Sequence, residues 1–194
     1  MPYIDKTNYL RGLQCRKLLW HAFHQPEAIP APDASAQAVF EQGRELGRLA
    51  QRLFPDGIDL GQSPTDLQRA VVLARQALNA RRPVYEATFA SDHAFARIDI
   101  LVPVGVERWD LYEVKGSTSA KSIYLNDIAF QVRVLRDAGL NVRRAILIYI
   151  NNSYTRNGNV DVDALLTRQD VTGLSCRDMR TWFDPCAPAP HYRH

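Results

Sequence analysis

Val142-Arg143-Arg144-Ala145-Ile146-Leu147-Ile148-Tyr149-Ile150 constrains the fold more than any other stretch of this chain. Its apolar residues run consecutively from Ala145 instead of alternating, so the strand reads as central and buried on both faces. A helix precedes it over residues 121–138, with Tyr124, Ile128, Val132 and Leu135 near one stripe. Gly139 stands where a helix C-terminal cap belongs. A buried strand entered from a helix belongs inside an α/β architecture, covered by helices on its two sides.

Upstream, Ser63-Pro64-Thr65-Asp66 carries a helix-start signature, with Ser as N-cap, Pro at the first helical position and an acid in the first turn. Leu67, Ala70, Val71, Ala74 and Leu78 follow at helical spacing, and Arg81-Arg82-Pro83 stops the helix. Residues 84–90 read as a strand, Ser91-Asp92-His93 as a turn, 94–102 as a second strand and 109–115 as a third. The predicted core is therefore helix, three strands, helix, strand.

Chemistry concentrates on the second and third of these strands. Side chains on a strand switch faces with period two, so Glu113 and Lys115 share a face. The segment 103–108 has the Pro and Gly of a turn and can fold Asp99 back beside Glu113. Two carboxylates and one ammonium then converge at one end of a sheet. Carboxylate oxygens suit Mg²⁺ or Mn²⁺, and metal-assisted phosphodiester hydrolysis uses such equipment. Taken alone, Glu-x-Lys reads first as a cross-strand salt bridge on a wet sheet face, worth roughly 0.2–1 kcal/mol, and the second acid and the order of elements are what lift it.

The whole pattern resembles the PD-(D/E)XK nuclease superfamily, in its RecB-like branch, which includes the CRISPR-associated RecB-like exonucleases. It looks most like the N-terminal nuclease domain of a largely uncharacterised bacterial family. The resemblance rests on Tyr9-Leu10-Arg11-Gly12-Leu13-Gln14-Cys15-Arg16-Lys17-Leu18-Leu19-Trp20, Gly43-Arg44-Glu45-Leu46-Gly47-Arg48-Leu49-Ala50 and Tyr85-Glu86-Ala87-Thr88-Phe89. It continues through Arg97-Ile98-Asp99-Ile100-Leu101, Tyr112-Glu113-Val114-Lys115-Gly116-Ser117-Thr118 and Asp127-Ile128-Ala129-Phe130-Gln131. It implies a three-layer α/β restriction-endonuclease-like fold with an αβββαβ core and a mixed central sheet. The nuclease domain would span 1–165, with a helical part over 5–55 and the core over about 63–150. An irregular tail with Cys and Pro would follow over 166–194, truncated or divergent relative to the family.

The resemblance also implies roles. Asp99 and Glu113 would bind the catalytic ion, with the Val114 carbonyl as a further ligand. Lys115 would position or activate the attacking water and stabilise charge on the phosphate. Gln131 would support the site, and Glu86 would be an outer carboxylate. Read from the residues alone, Glu86 is as well a strand-edge charge, and Gln131 an ordinary solvated helix residue. Two departures stand out. Gly47 lies near the place where RecB-like nucleases often carry a metal-binding His, which argues against a full two-metal centre. Leu135 replaces the aromatic that usually follows the Gln by four residues.

Some RecB-like nucleases hold an iron–sulfur cluster on one Cys before the core and three after it, and four thiolates are the usual ligand set. Cys15 matches the first of these. Cys176 and Cys186 follow the core, and His191 or His194 could complete a site by geometry; idle free thiols are the alternative. No signal-like or membrane-length apolar run is present, which places the expectation in the cytoplasm.

The net charge of +3 permits a nucleic-acid partner without demanding one. Its make-up says more, with 20 Arg against 4 Lys. Arg forks match phosphate oxygens, although genome base composition also inflates Arg. Arg11, Arg16 and Lys17, then Arg44, Arg48 and Arg52 at i, i+4, i+8, then Arg133, Arg136, Arg143 and Arg144 could line a phosphate-tracking groove. Lys121 and the Ser117-Thr118-Ser119 loop lie just past the candidate site. No Gly-rich phosphate loop and no Ser-His-Asp arrangement appears. His21 and His24 read as surface or packing residues, and Asn157-Gly158 as a hairpin turn between Tyr154 and Val162. The expectation is a Mg²⁺- or Mn²⁺-dependent deoxyribonuclease acting on DNA. The alternative is a catalytically degenerate nuclease-like module that binds nucleic acid or a protein partner.

Overall fold

The computed structural model describes residues 3–61 and 66–175. Its helices are α1 (Lys6–Gln14), α2 (Arg16–His24), α3 (Ala34–Gln51), α4 (Leu67–Leu78), α5 (Ser122–Asp137), α6 (Val162–Leu165) and α7 (Thr172–Ser175). Its strands are β1 (Ile58–Asp59), β2 (Val84–Ala90), β3 (Phe95–Val104), β4 (Arg108–Lys115), β5 (Asn141–Ile150) and β6 (Leu166–Asp170).

The strands form one mixed sheet in the order β1-β2-β3-β4-β5-β6. β1 and β2 are parallel, β2, β3 and β4 run antiparallel in succession, β4 and β5 are parallel, and β6 closes the far edge antiparallel to β5. The parallel β4–β5 step needs a crossover, and α5 supplies it. α4 and α5 cover one face, over a core that includes Phe89, Ile98, Leu111, Phe130 and Leu147. α3 and α6 cover the other, over Leu46, Ala50, Ile100, Ile148 and Val162. This is the three-layer restriction-endonuclease-like fold, with α4-β2-β3-β4-α5-β5 as its central unit.

α5 begins one residue after Lys121 and stops at Gly139, whose φ of +86° suits glycine. It is buried well beyond the expected stripe, from Asp127 through Val132 and again at Val134 and Leu135. The extra cover comes from α1, whose Tyr9 stacks on Phe130 at 4.8 Å. Each fully buried aliphatic or aromatic side chain here contributes about 1.5–3 kcal/mol.

Four local readings differ from the structure. Asp66 caps α4, accepting from the Arg69 N–H at 2.8 Å, while Ser63 and Pro64 lie outside the described residues. The two edge strands β1 and β6 extend the sheet beyond the expected four. The tail expected from 166 onward therefore starts inside the sheet, and Val171 is buried. Gly158 does adopt φ +76°, but the turn sits in a long connection to α6 and not between paired strands. The Tyr154 hydroxyl closes that connection by accepting from the Asp161 N–H at 3.1 Å.

Candidate active site

The site begins with a slip in strand alternation. Ile98 and Leu101 both face the α4/α5 core, while Ile100 faces the opposite one. On β2, Val84 and Ala87 face the α4/α5 core while Tyr85 faces the other. Period-two alternation therefore fails by one residue on both strands, at Asp99 and at Glu86. The register flanks these two with Tyr85↔Ile100 and Ala87↔Ile98, so they lie side by side. Glu86 has φ +55°, a left-handed conformation that costs a non-glycine residue roughly 1–2 kcal/mol.

Between β3 and β4 the paired register runs from Val104↔Arg108 to Ile100↔Tyr112. Beyond it, the Asp99 side chain takes over from the ladder: its Oδ2 accepts the Val114 N–H at 2.8 Å. Glu113 and Lys115 lie on the face that carries Trp109 and Leu111, toward α5. That orientation brings them to residues of the crossover helix.

Glu113 is almost wholly buried and fully engaged. Its Oε1 accepts from Lys115 Nζ at 2.6 Å and from Lys6 Nζ at 2.9 Å, and its Oε2 from Gln131 Nε2 at 2.7 Å. Gln131 Nε2 also donates to Asp127 Oδ1 at 2.8 Å. Lys115 Nζ donates to Asp127 Oδ2 as well, and Lys6 Nζ lies 3.6 Å from Asp127 Oδ1. Both Gln131 N–H groups are thus turned to carboxylates, and its buried Oε1 has no hydrogen-bond partner. An orphaned buried acceptor is uncommon and marks a side chain ordered for its donors.

The charges respond to this packing. Burial pulls Glu113 upward, but Lys6 and Lys115 outweigh it and hold its carboxyl well below the usual range. Burial and the neighbouring Glu113 charge push Asp99 up to about 8. Burial and Glu113 also raise Asp127, and burial raises Glu86. Burial works against the Lys115 ammonium, but Glu113 and Asp127 reverse that and take it to about 12. Lys115 is therefore held as a cation and hydrogen-bond donor at neutral pH.

Lys6, Glu86, Arg97, Asp99, Glu113 and Lys115 line a cleft of about 1000 Å³. Its other wall is α3, which presents Gly43, Gly47, Arg44, Arg48 and the exposed Phe40. The expected arginine groove thus survives only in part. Arg44 and Arg48 line the cleft, but Arg143 is committed to Asp110, Arg133 to Asp137, and Arg144 lies 3.5 Å from Asp170. Lys121 reaches over the Tyr124 ring, 5.9 Å from its centroid. His24 stacks on Trp20 and His21 meets it edge-on, as packing residues do.

Does the donor set fit a divalent ion? Among the described residues, no three His, Cys, Asp or Glu side chains stand ready to hold one. Glu86, Asp99 and Glu113 share the cleft without forming such a trio. The chemistry nevertheless fits a hard ion. Asp99 and Glu113 offer carboxylate oxygens on adjacent strands, and Asp99 Oδ1 makes no hydrogen bond among the described residues. Cys15 is an exposed free thiol between α1 and α2, and Cys176, Cys186, His191 and His194 lie outside the described residues.

Two site residues escaped the sequence reading. Asp127 carried a signal, its i, i+4 spacing to Gln131 on one helix. Lys6 carried none, because its contact to Glu113 spans 107 residues. Among the described residues, no helix is long and apolar enough to cross a membrane.

No family model matches the chain, and neither does any curated protein. Among solved structures it is similar to LHK-Exo in complex with dAMP, at TM-score 0.46 and 11% identity over 87% of this chain and 77% of that one. It is also similar to the alkaline exonuclease LHK-Exo from Laribacter hongkongensis, at TM-score 0.37 and 11% identity over 87% and 76%. SSO0001 matches at TM-score 0.41 and 11% identity over 89% and 67%.

Proposed function

We propose that this chain is a divalent-metal-dependent nuclease that hydrolyses DNA phosphodiester bonds. One observation carries the reading: Asp99, Glu113 and Lys115, drawn from two adjacent strands, line one cleft, with the buried Gln131 of the crossover helix donating to Glu113 beneath it. Asp99 and Glu113 would hold Mg²⁺ or Mn²⁺, with the Val114 carbonyl and Glu86 as further oxygens. When bound, the ion supplies Lewis acidity toward the phosphate and stabilises its developing charge.

The chain's own groups do the rest. Lys115, pinned between Glu113 and Asp127, donates toward the attacking water or a phosphate oxygen. Gln131 fixes the Glu113 and Asp127 carboxylates in place. Arg44 and Arg48 on α3 and Arg97 on β3 offer the flanking phosphates their guanidinium forks. An iron–sulfur centre on Cys15 would need Cys176 and Cys186; absorbance near 400 nm after anaerobic purification supports it, and a colourless protein counts against it.

The test is cleavage of plasmid, linear duplex and single-stranded DNA with Mn²⁺ or Mg²⁺, beside Asp99→Ala and Lys115→Ala. Cleavage lost in both variants supports the reading, and the three substrates sort endonuclease from exonuclease. The degenerate-module reading draws on the full engagement of Glu113 by Lys6, Lys115 and Gln131. A folded wild type that binds DNA but neither binds Mn²⁺ nor cleaves would favour it.

A further inference from the structure

We propose that Lys6 is a positioning residue whose ammonium takes the place of a second cation beside Glu113 and Asp127, so that the centre accepts one divalent ion. The inference rests on the nuclease reading of this same site.

The geometry aims Lys6 inward. Ile4 pairs with β3's entry in a parallel bridge to Ala94, through Ile4 N–H to the His93 carbonyl at 2.8 Å and Phe95 N–H to the Ile4 carbonyl at 3.0 Å. Asp5 caps α1 by accepting the Asn8 N–H at 2.7 Å. Tyr9 fixes the next turn on Phe130. Backbone on both sides of Lys6 is therefore anchored, and Nζ is delivered to Glu113 Oε1 at 2.9 Å.

Charge counting gives the reason. The cluster that Lys6 and Lys115 touch holds two carboxylates, Glu113 and Asp127, against two ammonium groups. Fully ionised, it is neutral. Asp99 and Glu86, the neighbouring carboxylates that line the cleft, then balance one divalent ion. A second divalent ion would add two positive charges beside two ammonium groups in a largely buried site, which is costly. The α3 wall brings one carboxylate, Glu45, to the cleft, beside the guanidinium groups of Arg44 and Arg48. A second ion near Glu113 Oε1 would also collide with Lys6 Nζ.

The experiment titrates the full chain with Mn²⁺ alone, read by calorimetry and by the electron paramagnetic resonance of free Mn²⁺. Wild type should take one ion per chain. Lys6→Met should bind its first ion on the order of tenfold more tightly, having lost a competing cation, and admit a second at higher concentration. Its DNA cleavage should fall about 10–100-fold. Lys6→Arg should keep one ion and most of the cleavage. Two ions on wild type, or none, overturn the proposal. So does a Lys6→Met protein with unchanged ion number and affinity and merely a lower melting temperature, the behaviour of a structural strut. If Lys6→Met does not fold, wild type and Lys6→Arg still decide by stoichiometry. One ion on wild type with no cleavage would sink the nuclease reading and spare Lys6; cleavage with two ions would do the reverse.

Discussion

Asp110 and Glu113 lie three residues apart on β4, and both are buried, at 3% and 1% exposure. Their surroundings could hardly differ more. Asp110 is closed by one residue, Arg143, in a bidentate pair of 2.8 and 2.5 Å from the neighbouring strand. Glu113 is shared among Lys6, Lys115 and Gln131, from three separate elements, and opens on a cleft. A one-to-one pair has nothing left to offer a ligand. A carboxylate held by donors that also serve Asp127 can exchange one of them. Burial alone therefore does not distinguish a structural acid from a chemical one; the number and independence of its partners does.

The strongest way to break this comparison is to neutralise each acid in turn. Glu113→Gln should lower DNA cleavage on the order of 10²–10³-fold, the scale of losing a main electrostatic group. Asp110→Asn should leave cleavage near wild type while lowering the urea midpoint. Equal losses of activity in the two variants would erase the distinction.

A second, smaller effect belongs to the shared donor. Gln131→Leu removes the N–H groups that order two carboxylates and should cost about 10–100-fold in cleavage. Its stability loss should stay near 1–3 kcal/mol, because the orphaned Oε1 leaves with its donors. Chemical denaturation beside the cleavage assay separates the two.

A third test uses protons. Asp99 sits at about 8 in the folded chain against an ordinary value of 3.8. The folded state then binds its proton more tightly than the unfolded one. Asp99's contribution to stability is full below pH 4 and is lost as pH rises through about 8. Asp99→Asn keeps an acceptor for the Val114 N–H and removes the titration. Without divalent ions, it should melt like wild type near pH 4 and progressively higher than wild type toward pH 8. A constant offset across that range would contradict the assignment.

The smallest expected change is at Glu86. Glycine relieves its positive φ, so Glu86→Gly should be neutral or stabilising by up to about 1 kcal/mol while cleavage falls if the carboxylate serves the ion. Loss of stability would show that the backbone there is not strained.

Much of this arrangement was legible in the sequence, for physical reasons. β2, β4, α5 and β5 announce themselves because each buries a periodic or continuous apolar surface between clear stops, such as Pro83 and Gly139. β1 and β6 do not, because an edge strand as short as Ile58–Asp59 or as polar as Leu166–Asp170 buries too little to pattern. Glu113 and Lys115 could be aligned by strand period and Asp99 by turn length, while the slip in alternation at Asp99 left no mark in the sequence. Asp127 was hidden because an acid on a helix ordinarily faces water, and its burial depends on α1 closing over α5. Nothing local in Lys6 reports a partner 107 residues away.

That separation also sets a dependence. Lys115 lies two residues from Glu113 on the same strand, whereas Lys6 reaches it only when α1 is docked, across a closure of 107 residues. With α1 undocked, Glu113 and Asp127 would lack one of their cations while the sheet itself stayed paired. The docking of one short helix thus governs whether the cleft is chemically complete.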